Sequence, residues 1–195
     1  MTNYSKITLG VLFLASAAFT SCESDDDAPA PVKASIYTRL GGTTMVADPD
    51  NSGQMIEQGR LSFRKVVNST VGFIVADVQK NASGNLGAHF APVLTEVGAG
   101  NTTKLAVLVD NLTDFFSFNT GGTNAVNTYS GLNMVAAHDP ATNPRMGTKS
   151  NNADYDKFVG YVGAAANANG VASNTELYTD VVAVLQSLRT PIVQK

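Results

Sequence analysis

The sequence predicts an all-α domain, and three observations carry that expectation. Four stretches repeat apolar residues at close to a 3.6-residue spacing, Gly or Asn residues stand where several of them stop, and long polar segments lie between them. Over 61–77 the positions Leu61, Phe63, Val66, Val67, Val71, Ile74 and Val75 fit a helical stripe better than strict alternation. Over 104–118, Leu105, Leu108, Leu112, Phe115 and Phe116 share one face, and Gly121-Gly122 supplies the C-terminal stop. Over 155–168, Tyr155, Phe158, Val159, Val162 and Ala166 recur and Asn169-Gly170 ends the run. A last helix over 174–193 opens with Ser173 or Asn174 as its cap and Glu176 in its first turn. It carries Leu177, Val181, Val184, Leu185 and Leu188, with Pro191 weakening its tail. Frequent Val and Thr leave a mixed fold open, because propensity is a weak prior.

The first residues carry one Lys and are followed by an apolar run over 7–19, too short to span a bilayer, which needs roughly 20 apolar residues. Such a start is the signature of a secretory signal over 1–21. Thr20 and Ser21 stand directly before Cys22, the only cysteine of the chain, and this junction resembles the lipobox of bacterial lipoproteins. The resemblance implies lipidation of Cys22, an anchor in the outer membrane and a domain on its periplasmic or surface side. An ordinary signal peptide followed by a free thiol is the alternative. The acidic run Glu23-Ser24-Asp25-Asp26-Asp27 and the Pro/Ala stretch after it read as an extended tether over 22–34. An acidic run in that place resembles the surface-export signal of lipoproteins from the Bacteroidetes group, although a plain solvated spacer fits as well.

The remaining stretch, 35–195, is the size of one domain with one core. A formal net charge of −3 and the lack of a Lys/Arg cluster argue against nucleic acid as a partner, since phosphate neutralisation needs a basic face. An acylated Cys22 would leave no thiol for disulfides or thiolate metal sites, so stability must come from packing.

Taken in order, the punctuation of this stretch resembles a truncated haemoglobin of the first group. Ser35-Ile36-Tyr37-Thr38-Arg39-Leu40-Gly41-Gly42 is similar to the opening helix of that family, and Asp114-Phe115-Phe116 with Gly121-Gly122 is similar to the end of its distal helix. Tyr129-Ser130-Gly131-Leu132-Asn133-Met134-Val135-Ala136-Ala137-His138 resembles the segment that carries the proximal haem ligand. The resemblance implies a truncated globin-like helical sandwich with extended loops, a haem b whose iron is bound by His138, and haem contacts from Met134, Tyr129, Phe115 and Phe116. Without the resemblance, His138 reads rather as a loop histidine before Asp139-Pro140. A neutral imidazole is a standard axial ligand for a haem whose other face stays free for a gas.

Several residues depart from the family pattern. Val71 falls where a tyrosine normally donates to bound oxygen, and Leu108 and Leu112 fall where glutamine often stands. An apolar distal face implies oxygen affinity about 10- to 100-fold below that of a donor-bearing pocket, from a missing hydrogen bond of roughly 1.5–3 kcal/mol. Phe90 matches the aromatic set against the haem, or is ordinary core. His89, directly before it, is a candidate second iron ligand or a residue on the propionate side. Lys104 and Arg145 are candidates to meet haem propionates, or solvated surface charges. The path of 91–103 is not derivable. The insertions over 43–59 and 139–154 read as surface elaborations that loops tolerate, or as a partner-binding face.

The expected function is therefore that of an anchored haem protein binding nitric oxide, carbon monoxide or oxygen, with a redox or haem-transfer partner. The alternatives are a surface haem carrier or scavenger and a cofactor-free globin-like binding module. No hydrolytic constellation is visible in the sequence. Turnover stays open and, if present, is haem-based nitric oxide or oxygen chemistry.

Overall fold

The computed structural model describes residues 32–195. Cys22, the signal segment 1–21 and the tether up to residue 31 lie outside the described residues. Over Lys33–Lys195 the chain is mostly helical. The elements run α1 (Ile36–Arg39), β1 (Met45–Ala47), β2 (Met55–Glu57), α2 (Gln58–Gln79), α3 (Ala91–Gly98), α4 (Thr103–Asn119), α5 (Met134–Ala137), α6 (Asn152–Ala168), α7 (Glu176–Ser187) and α8 (Arg189–Ile192). No helix among the described residues is long and apolar enough to cross a membrane.

The longest helix, α2, packs against both α4 and α6. Its inward stripe meets theirs in a core of Ile36, Tyr37, Phe63, Val67, Phe116, Val162 and Leu185. Three rings stack through this core: Tyr37 on Phe63 with centroids 6.4 Å apart, and Phe63 on Phe116 at 5.9 Å. Offset aromatic pairs at such spacings add about 0.5–1.5 kcal/mol each beyond their burial. Two glycines make room for Tyr37. A Cβ on Gly59 would lie 2.8 Å from the ring, and one on Gly122 would lie 2.6 Å from both the ring and the Ser117 carbonyl oxygen. The Gly121-Gly122 stop read from the sequence therefore also seats a core side chain.

Beside that ring lies a buried polar knot. The Tyr37 hydroxyl donates to Glu57, whose carboxylate also accepts from Asn127 Nδ2 at 2.6 Å and Asn124 Nδ2 at 2.9 Å. A buried carboxylate is tolerable when several donors surround it. The knot joins α1, β2 and the loop after α4.

The elements differ from expectation in identifiable places. The insertion over 43–59 is an antiparallel hairpin with Val46 opposite Ile56, clamped to α2 by a bidentate pair between Arg64 and Asp48. That guanidinium holds the Asp48 carboxyl well below the usual carboxylate range. The last helix is two: α7 ends at Ser187 with Leu188 as its C-cap, and Pro191, which has no N–H to offer, sits in the short α8. Its cap is Thr175, whose hydroxyl accepts from Tyr178 N–H, rather than Ser173 or Asn174. The opening helix is a single turn, and α3 occupies part of the segment whose path was open.

Candidate functional site

A cavity with about 990 Å³ of empty space, its open mouth included, lies against the α4–α6 side of the core. The helix α4 contributes Leu108, Leu112, Phe115 and Phe116, an i, i+4, i+7, i+8 stripe of the kind that keeps one face continuous. From the turn before α3 come His89 and Phe90, and from the segment after α4 come Tyr129, Met134 and His138. Of the ten residues expected to contact the haem ring or iron, the propionate candidates aside, nine thus line one cavity. The tenth, Val71, does not: α2 turns Phe63, Val66, Val67 and Thr70 toward a second cavity of about 550 Å³, and Val71 lines neither.

His138 is oriented from behind. It caps the C-terminus of α5, where its Nδ1 lies 2.8 Å from the Met134 carbonyl oxygen. A carbonyl only accepts, so Nδ1 carries the proton and Nε2 is left with its lone pair. Among the described residues Nε2 has no hydrogen-bond partner. Burial lowers the pKa of His138 below its usual 6.5, His89 nearby acts in the same direction, and the Met134 bond opposes them. The ring is therefore neutral at pH 7 and able to donate its Nε2 electrons. The turn that carries it is fixed by its cap: the Asn133 side chain accepts from Ala136 N–H at 2.9 Å. It is also braced from outside, since Gln194 Nε2 donates to the Val135 carbonyl at 2.8 Å while Gln194 N–H donates to Ser150 O at 2.9 Å.

His89 is differently placed. Its Nδ1 lies 3.1 Å from Thr148 O, and its Nε2 lies 3.1 Å from Asp154 Oδ2. Both ring nitrogens thus face acceptors supplied by the protein, and binding iron would require giving one of them up. The Tyr129 hydroxyl is also committed, donating to Leu132 O at 2.6 Å. Its ring packs edge-on against Phe115 at 5.3 Å.

The segment 139–154, expected as a surface elaboration, builds one wall instead. Asn143 Nδ2 and the Thr142 hydroxyl donate back to α5 carbonyls, each at 2.6 Å, and Gly147 N–H donates to His89 O at 2.7 Å. Asn143, Arg145, Met146, Ser150 and Asp154 line the cavity as a result. Only Arg145 among these was singled out by the sequence; the others lie in a polar run with no periodicity to place them. Lys104 is not on the wall and sits 3.8 Å from Glu96. Asn111 was also overlooked, although its position three residues after Leu108 puts it on the same helical face and on the cavity wall. That face is consequently not wholly apolar.

Among the described residues no three His, Cys, Asp or Glu side chains converge as an all-protein metal site. What the arrangement offers is one uncommitted imidazole, aromatic and aliphatic walls, and a few polar groups. Set against protein-family models and against curated proteins, the chain matches none.

Proposed function

We propose that the chain is a lipid-anchored, truncated globin-like protein that holds a haem b through His138 and binds nitric oxide, carbon monoxide or oxygen on the other face of the iron. The observation that carries this reading is the state of His138: neutral, oriented through Nδ1 by a backbone carbonyl, and with Nε2 uncommitted on the wall of a large, mainly apolar cavity. Metal-bound histidines are commonly oriented in this way, with the second nitrogen donating to a carbonyl or carboxylate.

The chemistry of the lining supports this reading. Phe90, Phe115 and Phe116 offer flat apolar surface, and Met134 stands one helical turn before the imidazole. Bound haem would supply iron with one open coordination position. The protein's part is to orient the imidazole and restrict what reaches the pocket. The second cavity shares Leu112, Phe116 and Phe158 with the first and is lined almost wholly by apolar side chains, which gives a dissolved apolar gas room beside the site. The anchor at Cys22, the outer-membrane location and a redox or haem-transfer partner belong to this proposal on sequence grounds.

One observation favours the carrier reading. The histidine stands at the end of a single helical turn, none of whose residues is buried, and such short supports open locally at low cost. A ligand held there exchanges more readily than one held from a long packed helix.

The test uses the full chain with Cys22→Ser, so that no thiol competes for iron, reconstituted with hemin and compared with His138→Ala. A sharp Soret band in the first that is lost in the second is the expected result. Transfer of haem to a stronger acceptor within minutes marks a carrier, and retention for hours a gas-binding protein. A Soret band identical in the two proteins removes His138 from the site, and no band in either leaves a cofactor-free binding module.

A further inference from the structure

Five arginines stand in the described part of the chain, and four hold a carboxylate. Arg39 pairs with Asp180, Arg60 with Asp114 at 2.6 Å, Arg64 with Asp48 at 2.5 Å and Arg189 with Asp156 at 2.5 Å. Arg145 holds none. Among the described residues its guanidinium makes no hydrogen bond or ion pair, and its Nε is buried without an acceptor. The Nε atoms of Arg39 and Arg64 share that lack, but the terminal nitrogens of both reach carboxylates.

Arg145 is also the arginine that lines the cavity. The one carboxylate on the same wall is Asp154, and it is already engaged: its Oδ2 faces His89 Nε2 at 3.1 Å and accepts from Asn151 N–H at 2.9 Å. The backbone around Arg145 is held, with its own N–H on Asn143 Oδ1 at 3.1 Å and Met146 buried beside it. The wall therefore presents a permanent cation with a planar fork of donors and no internal anion. An unmatched charge against apolar surface is unfavourable, and a ligand that brings the anion relieves it.

We infer that Arg145 is the anion anchor of this cavity, which therefore takes an apolar ligand bearing a carboxylate and discriminates against the neutral ester of the same ligand. Where that ligand is haem the inference rests on the function proposed above; the preference for a carboxylate does not. A guanidinium meets a carboxylate through two parallel N–H···O bonds, so the discrimination depends on the fork as well as the charge.

Two acid–ester pairs test it on the full chain: hemin with hemin dimethyl ester, followed by absorbance, and cis-parinaric acid with its methyl ester, followed by fluorescence. The expected result is that each acid binds about 10-fold or more tightly than its ester, the size of a charge-assisted hydrogen-bonded contact. Arg145→Met should weaken the acids to the level of the esters while leaving the esters within about twofold, and Arg145→Lys should keep part of the preference. Equal binding of acid and ester in both pairs, an unchanged ratio in Arg145→Met, or no binding of either acid overturns the inference. The unsubstituted protein's own acid-to-ester ratio decides the matter even where a variant fails to fold. Hemin that gives no His138-dependent band, beside parinaric acid with an Arg145-dependent preference, removes haem and keeps the anchor. A His138-dependent band with equal affinity for hemin and its ester removes the anchor and keeps haem.

Discussion

His89 Nε2 stands 3.1 Å from Asp154 Oδ2, and the pair ties the turn before α3 to the first turn of α6. Because Thr148 O occupies the other ring nitrogen, His89 has no free lone pair to offer iron without breaking a contact. His89→Ala should therefore leave the coordination state of the ferrous haem protein unchanged in its visible spectrum. It should lower stability by about 1–3 kcal/mol, read as a fall in Tm, because Asp154 loses a partner. A change from six- to five-coordinate spectrum in the variant would show instead that His89 leaves Asp154 to bind the iron.

The depressed pKa of His138 makes stability depend on pH with a definite sign. Near pH 6.5 and below, the unfolded chain takes up a proton at this residue while the folded chain resists it. Stability from this group is full above the unfolded value and declines as pH falls toward the lower folded value. Melting curves between pH 7.5 and 5.0 should show a steeper loss of Tm on acidification in the parent than in His138→Gln. Equal slopes would mean that the imidazole is not shielded.

Steric room at Tyr37 gives a paired prediction. Gly122→Ala would press a methyl group to 2.6 Å from both the Tyr37 ring and Ser117 O, and should cost about 1–3 kcal/mol. Gly160→Ala, on an exposed part of α6 with nothing within 4 Å, should stabilise by about 0.5–1 kcal/mol through helix propensity. Denaturant midpoints of the two variants should move in opposite directions.

Removing one donor from the buried knot should be costly. Tyr37→Phe keeps the ring stack but takes a hydroxyl from Glu57, whose carboxylate then relies on Asn124 and Asn127. A loss of about 1–3 kcal/mol in the denaturant midpoint is expected. Glu57→Gln in the Tyr37→Phe background should cost less than Glu57→Gln alone, because the two side chains share the contact.

The long helices were legible because their apolar spacing is set by the same packing that buries them. Phe63, Val67 and Ile74 on α2, and Leu108, Leu112, Phe115 and Phe116 on α4, announce their faces without help from the rest of the chain. Side chains meeting across long separations were not legible. Nothing in the polar run 139–154 indicates that Asn143 bonds α5 or that Gly147 reaches His89, since both contacts depend on where a loop folds back. The hairpin over 45–57 was hidden for a related reason: its strands are three residues each, too short for alternation to register, and its anchor is an Arg64–Asp48 pair rather than an apolar face. At the cavity, Val71 was assigned by the family resemblance, which carries a position along a helix but not the direction in which this helix turns it, and it lines neither hollow.

Gln194 reaches both the turn that bears His138 and Ser150, which also lines the cavity. A change at Gln194 would loosen the imidazole's foothold. Preparations that differ only at Gln194 should for that reason differ in how firmly they keep whatever occupies the pocket.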